Sequence, residues 1–104
     1  MQRYSAEQLA TYLKTHRPQL IDVREPWEFE ICHIMGSELI PMGQIPTQLE
    51  RFLQPGEYVI ICHHGIRSMQ VINFLHHHHI QNTINLDGGV DAWAREIDYN
   101  MSVY

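Results

Sequence analysis

The sequence predicts an α/β domain: a small, mainly parallel sheet flanked by helices on both faces. Three observations predict it. Short apolar runs at residues 19–23, 38–40, 58–61 and 83–86 have the length of buried strands. Stretches with apolar residues at helical spacing lie between them, and such alternation implies crossover connections. The chain has 104 residues, enough for one domain and too few for two, so residues 1–104 read as a single domain.

Each element has its own signal. Ser5-Ala-Glu-Gln8 reads as a capping box in which Ser5 covers a free amide and Gln8 reaches back. Leu9, Tyr12 and Leu13 follow at helical spacing, and Pro18 comes just beyond the stop. Gln19-Leu-Ile-Asp-Val23 is a buried strand candidate, and Pro26 suits the first turn of a short helix carrying Trp27, Phe29 and Ile31. Glu38-Leu-Ile40, stopped by Pro41, is a second short strand. Residues 46–53 read as a helix whose apolar face is Ile45, Leu49, Phe52 and Leu53. Tyr58-Val-Ile-Ile61 is the strongest strand, continuous and bounded by Pro55-Gly56. Met69, Ile72 and Leu75 then resume helical spacing. Thr83-Ile-Asn-Leu86 is a further strand, ended by Asp87-Gly-Gly89, and Val90, Trp93 and Ile97 mark a last amphipathic helix.

Composition narrows the function. An apolar fraction of 44% excludes a disordered chain, and no apolar run is long enough to span a membrane. The formal net charge is −5 and the one lysine is Lys14, a poor balance for gripping a phosphate backbone, so nucleic acid is not an expected partner. The N-terminus has no apolar secretory core, which makes the cytoplasm the default compartment. Two cysteines, Cys32 and Cys62, do not make a disulfide scaffold, and each thiol needs its own explanation.

Cys62 has one. It stands where the strongest strand ends, at the carboxyl edge where open α/β sheets bind ligands. The next residues, His63-His-Gly-Ile-Arg-Ser68, must turn the chain into a helix, and Gly65 supplies the freedom for that turn. Amides in such a turn converge into an anion-binding hollow, reinforced by the helix N-terminus. A thiol at its rim, near Arg67, is pushed toward thiolate, the nucleophilic form. The competing reading is a small apolar residue closing a core strand. The glycine, the arginine and the helix opening directly afterwards favour the nucleophile.

Four segments then resemble one family. Val59-Ile-Ile-Cys62-His-His-Gly65-Ile-Arg67-Ser68 resembles the active-site loop of the rhodanese-like sulfurtransferases. Asp22-Val-Arg24-Glu-Pro-Trp-Glu28-Phe resembles the family's Asp-x-Arg…Glu-Phe segment. His33-Ile34-x-Gly36 with Ile40-Pro41, and Leu86-Asp-Gly88-Gly89-Val-x-x-Trp93, resemble two more. They occur in family order and span residues 22–93. The resemblance implies a single rhodanese-like domain that carries sulfane sulfur as a persulfide on Cys62. It makes Cys62 and Arg67 catalytic, and His63, His64, Gly65, Ile66, Arg67 and Ser68 the substrate-binding loop. The donor would be thiosulfate or a persulfide-bearing protein, and the acceptor a thiol or cyanide. The loop amides would solvate the anionic persulfide, so no metal or cofactor is expected, and Arg67 would orient the sulfonate end of thiosulfate.

Loop length separates this chemistry from a related one. Phosphatases of similar fold use Cys-x5-Arg to wrap a tetrahedral phosphate, whereas here the spacing is Cys62-x4-Arg67. The tighter hollow suits one sulfur, and no general acid for a phosphate leaving group can be assigned. Arsenate reduction stays open. So does a different class of function, a non-catalytic binding module or a persulfide relay that works docked to a partner.

The remaining residues have blander expectations. Cys32 stands where the family usually has glycine and reads as a small apolar substitution, with a second redox thiol as the alternative. His63 and His64 could tune the thiolate or bind a donor, or point to solvent. His76–His79 point all around a helix, so only a pair such as His76 and His79 could share a face, which is too few ligands for a metal. Asp22, Arg24 and Glu28 are expected to form ion pairs that brace the cysteine loop. Gly88 and Gly89 allow close backbone approach, Trp93 is core, and the tail from Asp98 to Tyr104 packs on the domain or on a partner.

Overall fold

The computed structural model describes residues 1–104. Five parallel strands form one sheet in the order β1-β5-β4-β2-β3. They are β1 (Gln2–Tyr4), β2 (Gln19–Asp22), β3 (Glu38–Leu39), β4 (Tyr58–Ile61) and β5 (Thr83–Leu86). The helices are α1 (Ala6–Tyr12), α2 (Pro26–Ile31), α3 (Ile66–His77) and α4 (Gly89–Glu96). The expected α/β sheet with helices on both faces is present.

The strand pattern explains the two faces. All four residues of β4 are buried, as are all four of β5, because parallel strands in the middle of a sheet have no wet side. Alternate side chains go to opposite layers. Ile21, Tyr58 and Ile60 pack with Val71, Ile72 and Leu75 of α3, while Leu20, Val59 and Ile61 pack with Leu9 of α1 and Val90 and Trp93 of α4. Trp93 is therefore core, as expected. The capping box at Ser5 forms: the Gln8 amide donates to Ser5 Oγ (3.1 Å) and the Ser5 amide to Gln8 Oε1 (2.8 Å).

Two elements differ from the sequence reading. β1 was not expected: Gln-Arg-Tyr carries no run of β-branched residues, and it is a strand because it pairs along the edge of β5. Residues 46–53 are not one α-helix. They belong to two 3-10 segments, Met42–Thr47 and Leu49–Leu53, with Pro46 inside the first. Pro46 has no amide hydrogen to donate, so an α-helical ladder through it is broken, and the chain kinks at Gln48 (φ −124°, ψ 25°). Ile45 and Phe52 reach the core from the two pieces, whereas Leu53, expected on the same face, is 67% exposed. No helix is long and apolar enough to cross a membrane.

Candidate functional site

β4 delivers Cys62 to the carboxyl edge of the sheet, and α3 begins four residues later at Ile66. The turn between them depends on Gly65, which has φ +99° and caps α3 in the left-handed conformation. Its amide donates to Cys62 Sγ (3.0 Å), and the Ser68 amide does the same (3.3 Å). Among the loop amides of residues 63–68, these two reach the sulfur. Cys62 is 1% exposed and sits against the apolar layer of α3. It is thus buried without being sealed in hydrocarbon alone. Two N–H dipoles therefore converge on one sulfur.

A polar chain leads away from the sulfur. The Cys62 thiol donates to Ser68 Oγ (3.3 Å), which donates to Asn85 Oδ1 (2.5 Å). Asn85 Nδ2 donates in turn to Asp87 Oδ1 (2.8 Å) and to the Gly65 carbonyl (3.4 Å). Ser68 is 0% and Asn85 1% exposed, so both are buried with their hydrogen bonds satisfied. Asn85 lies in the middle of β5, and the sequence reading missed it. A polar residue inside an otherwise apolar strand was the signal available.

The expected ion pairs form, in one fully buried and one partly buried cluster. Asp22 takes the Arg24 guanidinium on both oxygens, through Nε (2.9 Å) and NH2 (2.7 Å). Arg24 is fully buried and also donates to the Cys32 carbonyl (2.7 Å) and the Tyr104 hydroxyl (2.7 Å). Burial works against its charge, but the hydrogen bond and charge of Asp22 outweigh it and raise the Arg24 pKa. Glu28 takes Arg67 as a fork, NH1 to Oε1 and NH2 to Oε2, both 2.8 Å. The Glu28 carboxylate is fixed as well: its Oε1 accepts from the Glu25 amide (3.0 Å) at the start of α2. The Arg67 fork, ahead of the opposing effect of burial, holds the Glu28 carboxyl down at about 2. Arg67, 34% exposed, is therefore braced by Glu28 through both terminal nitrogens beside the cysteine loop.

Tyr104 joins the two clusters, a role sequence reasoning did not foresee. Its hydroxyl accepts from Arg24 and donates to Glu28 Oε2 (2.7 Å), and its ring stacks on His63 at 3.9 Å with planes 1° apart. Burial, which outweighs the opposing hydrogen bond from Arg24, raises its pKa to about 12, so the phenol keeps the proton it donates. The tail from Asp98 to Tyr104 thus packs on the domain and against the loop that follows Cys62.

The loop is locked from the other side by α4. The Val90 amide donates to the Cys62 carbonyl (3.0 Å) and the Asp91 amide to the His63 carbonyl (3.1 Å). Gly89 makes this possible: at φ +58°, a Cβ there would lie 2.3 Å from the Cys62 carbonyl oxygen. The expected close approach at this glycine is real.

The other candidates fall in different places. His64 and Ile66 are exposed at the loop surface, while Gly65 and Ser68 are inside. Cys32 is buried with extended backbone (φ −164°), which any residue adopts, and its sulfur lies 4.0 Å from Arg24 NH1. It belongs to the Arg24 cluster. His76 and His77 end α3, His78 caps it and His79 follows in the left-handed conformation, so the run spreads around a helix end. The surface hollows of the molecule are lined by other segments, none including Cys62 or the residues that follow it to Ser68.

The chain is similar to known proteins in sequence and in fold. The model of the rhodanese-like domain matches residues 5–96. YtwF of Bacillus subtilis, named as a sulfurtransferase, is 42% identical over 77 residues, covering 74% of this chain and 74% of its own. MoeZ of Mycobacterium tuberculosis, named as an adenylyltransferase/sulfurtransferase, is 34% identical over 87 residues, 82% of this chain; the match spans only 22% of MoeZ. The crystal structure of a rhodanese-like domain protein from Staphylococcus aureus superimposes with a TM-score of 0.82 at 34% identity, over 89% of this chain and 91% of that one.

Proposed function

We propose that this chain, which belongs to the rhodanese-like domain family, is a sulfurtransferase that carries sulfane sulfur as a persulfide on Cys62. The observation that carries the reading is the pair of amides, Gly65 and Ser68, aimed at a single sulfur at the end of β4. Two amides on one sulfur suit a single anionic sulfur, and the Cys62-x4-Arg67 loop is one residue shorter than the loops that wrap a phosphoryl group.

The steps balance without a metal or cofactor. The Cys62 thiolate attacks the outer sulfur of thiosulfate; a new S–S bond forms, the old one breaks, and sulfite leaves with the electron pair. The persulfide rests against the loop amides, whose dipoles are already in place and need no reorganisation. An acceptor thiolate, or cyanide, attacks the terminal sulfur, and Cys62 leaves as thiolate. Arg67 supplies positive charge beside the loop. Its terminal nitrogens already hold Glu28, so that charge is shared with a fixed carboxylate rather than devoted to a donor.

One observation favours a second reading. Cys62 is 1% exposed and no deep hollow leads to it, which suits a persulfide relay loaded by a docked protein. Both readings meet in one experiment. The protein is incubated with thiosulfate or with a small alkyl persulfide and weighed intact, beside Cys62→Ser, and thiocyanate formation from cyanide is followed. Gain of one sulfur from thiosulfate, absent in the variant, supports the enzyme. Gain from the persulfide alone supports the relay. No gain from either in folded protein overturns the sulfur-carrier reading.

A further inference from the structure

Where the cysteine loop packs on α4, three side chains meet that the transfer steps above do not use. His63 and His64 follow Cys62 directly, and Asp91 lies in the first turn of α4. One ligand atom from each lies within 4.8 Å of the others. The main chain sets this meeting, because the Asp91 amide donates to the His63 carbonyl (3.1 Å). The carboxylate is thus held beside the imidazoles by backbone packing and does not depend on a flexible reach.

Two of the donors have an atom free for a cation. His63 Nε2 is the single buried side-chain nitrogen or oxygen in the chain with no hydrogen-bond partner. Such an atom costs free energy unless something occupies it. Tyr104, stacked on the ring with centres 3.9 Å and planes 1° apart, fixes the plane of His63. Asp91 gives Oδ2 to Arg95 Nε (3.1 Å), which leaves Oδ1 for another partner.

We propose that His63, His64 and Asp91 form a binding site for a divalent transition-metal cation of the zinc class. Two imidazoles and a carboxylate suit such an ion better than magnesium or calcium, which prefer all-oxygen sites. Three protein ligands leave a fourth position for water or an anionic sulfur ligand. Bonds of about 2.0–2.1 Å place tetrahedral donors roughly 3.4 Å apart, so the cluster must close by up to about 1.4 Å. His64 is exposed and can turn to do so. The site stands whether or not Cys62 carries sulfur.

The test must separate this cluster from the histidine run. Full-length protein with His77→Gln, His78→Gln and His79→Gln is titrated with cobalt(II), followed by its visible d–d absorption, and then with zinc. The expected result is one cobalt per chain, displaced by zinc, with affinity lowered at least tenfold by adding Asp91→Asn or His64→Ala. Imidazole 15N–1H spectra give a second readout that needs no Asp91 variant. Zinc should move the ring nitrogens of His63 and His64 and leave His16 and His33 in place. Absent cobalt absorption, an unchanged affinity in both variants, or zinc shifts at other histidines in place of these two overturns the proposal.

Discussion

Replacing Glu28 by glutamine removes the charge that Arg67 is braced on while keeping the side-chain shape. Glu28 is 4% exposed and accepts both Arg67 nitrogens, the Glu25 amide and the Tyr104 hydroxyl. Its carboxyl falls from an ordinary 4.5 to about 2. At about 1.4 kcal/mol per pH unit this corresponds to roughly 3.5 kcal/mol at most. Water reaches the Arg67 end, which is 34% exposed, and lowers the figure to about 2 kcal/mol. A depressed carboxyl pKa stabilises the fold fully above the unfolded value and progressively less as pH falls toward the folded one. In the parent this contribution is therefore complete above about pH 4.5 and fades toward pH 2. Glu28→Gln should lose it at neutral pH and lack that part of the acid slope. Urea unfolding at pH 7 should show a midpoint lower by roughly 1–2 M, with the difference between the two proteins shrinking as pH is lowered through that window. Equal midpoints at pH 7, or a gap that widens on acidification, would refute the reasoning.

Two other substitutions probe the frame around the loop. Gly89→Ala puts a Cβ 2.3 Å from the Cys62 carbonyl oxygen and 2.4 Å from that of His63, at φ +58°. It should cost at least about 3 kcal/mol in strain and lost main-chain bonds; a thermal midpoint within about 3 °C of the parent would contradict it. Tyr104→Phe keeps the stack on His63 but removes the hydroxyl shared by Arg24 and Glu28. A cost of about 1–2 kcal/mol is expected, and the Glu28 carboxyl should titrate at higher pH because one of its donors is gone, which carboxyl NMR would read directly.

Much of the site was readable along the chain because its signals are local. A buried strand running into Cys62, a glycine three residues on and a helix opening at once are sequence neighbours, and each dictates geometry within a few residues. Pro46 was misread for a related reason: a proline at the start of an apolar periodicity suits an α-helix, and the 3-10 segment already under way from Met42 decides otherwise. Arg67 was expected to face a donor, and no local rule shows that both of its terminal nitrogens rest on Glu28, supplied by a helix elsewhere in the chain.

By itself, then, the sequence determined the alternation of strands and helices, the position of Cys62 at a sheet edge and the turn that aims amides at it. Periodicity, capping and backbone freedom act over a few residues and need nothing else. Only the tertiary structure decided that Asn85 anchors Ser68, that Tyr104 ties Arg24 to Glu28, and that Asp91 meets His63 and His64. Those meetings depend on which strands are neighbours and how α4 and the tail pack, and pairing across the sheet is a property of the whole fold.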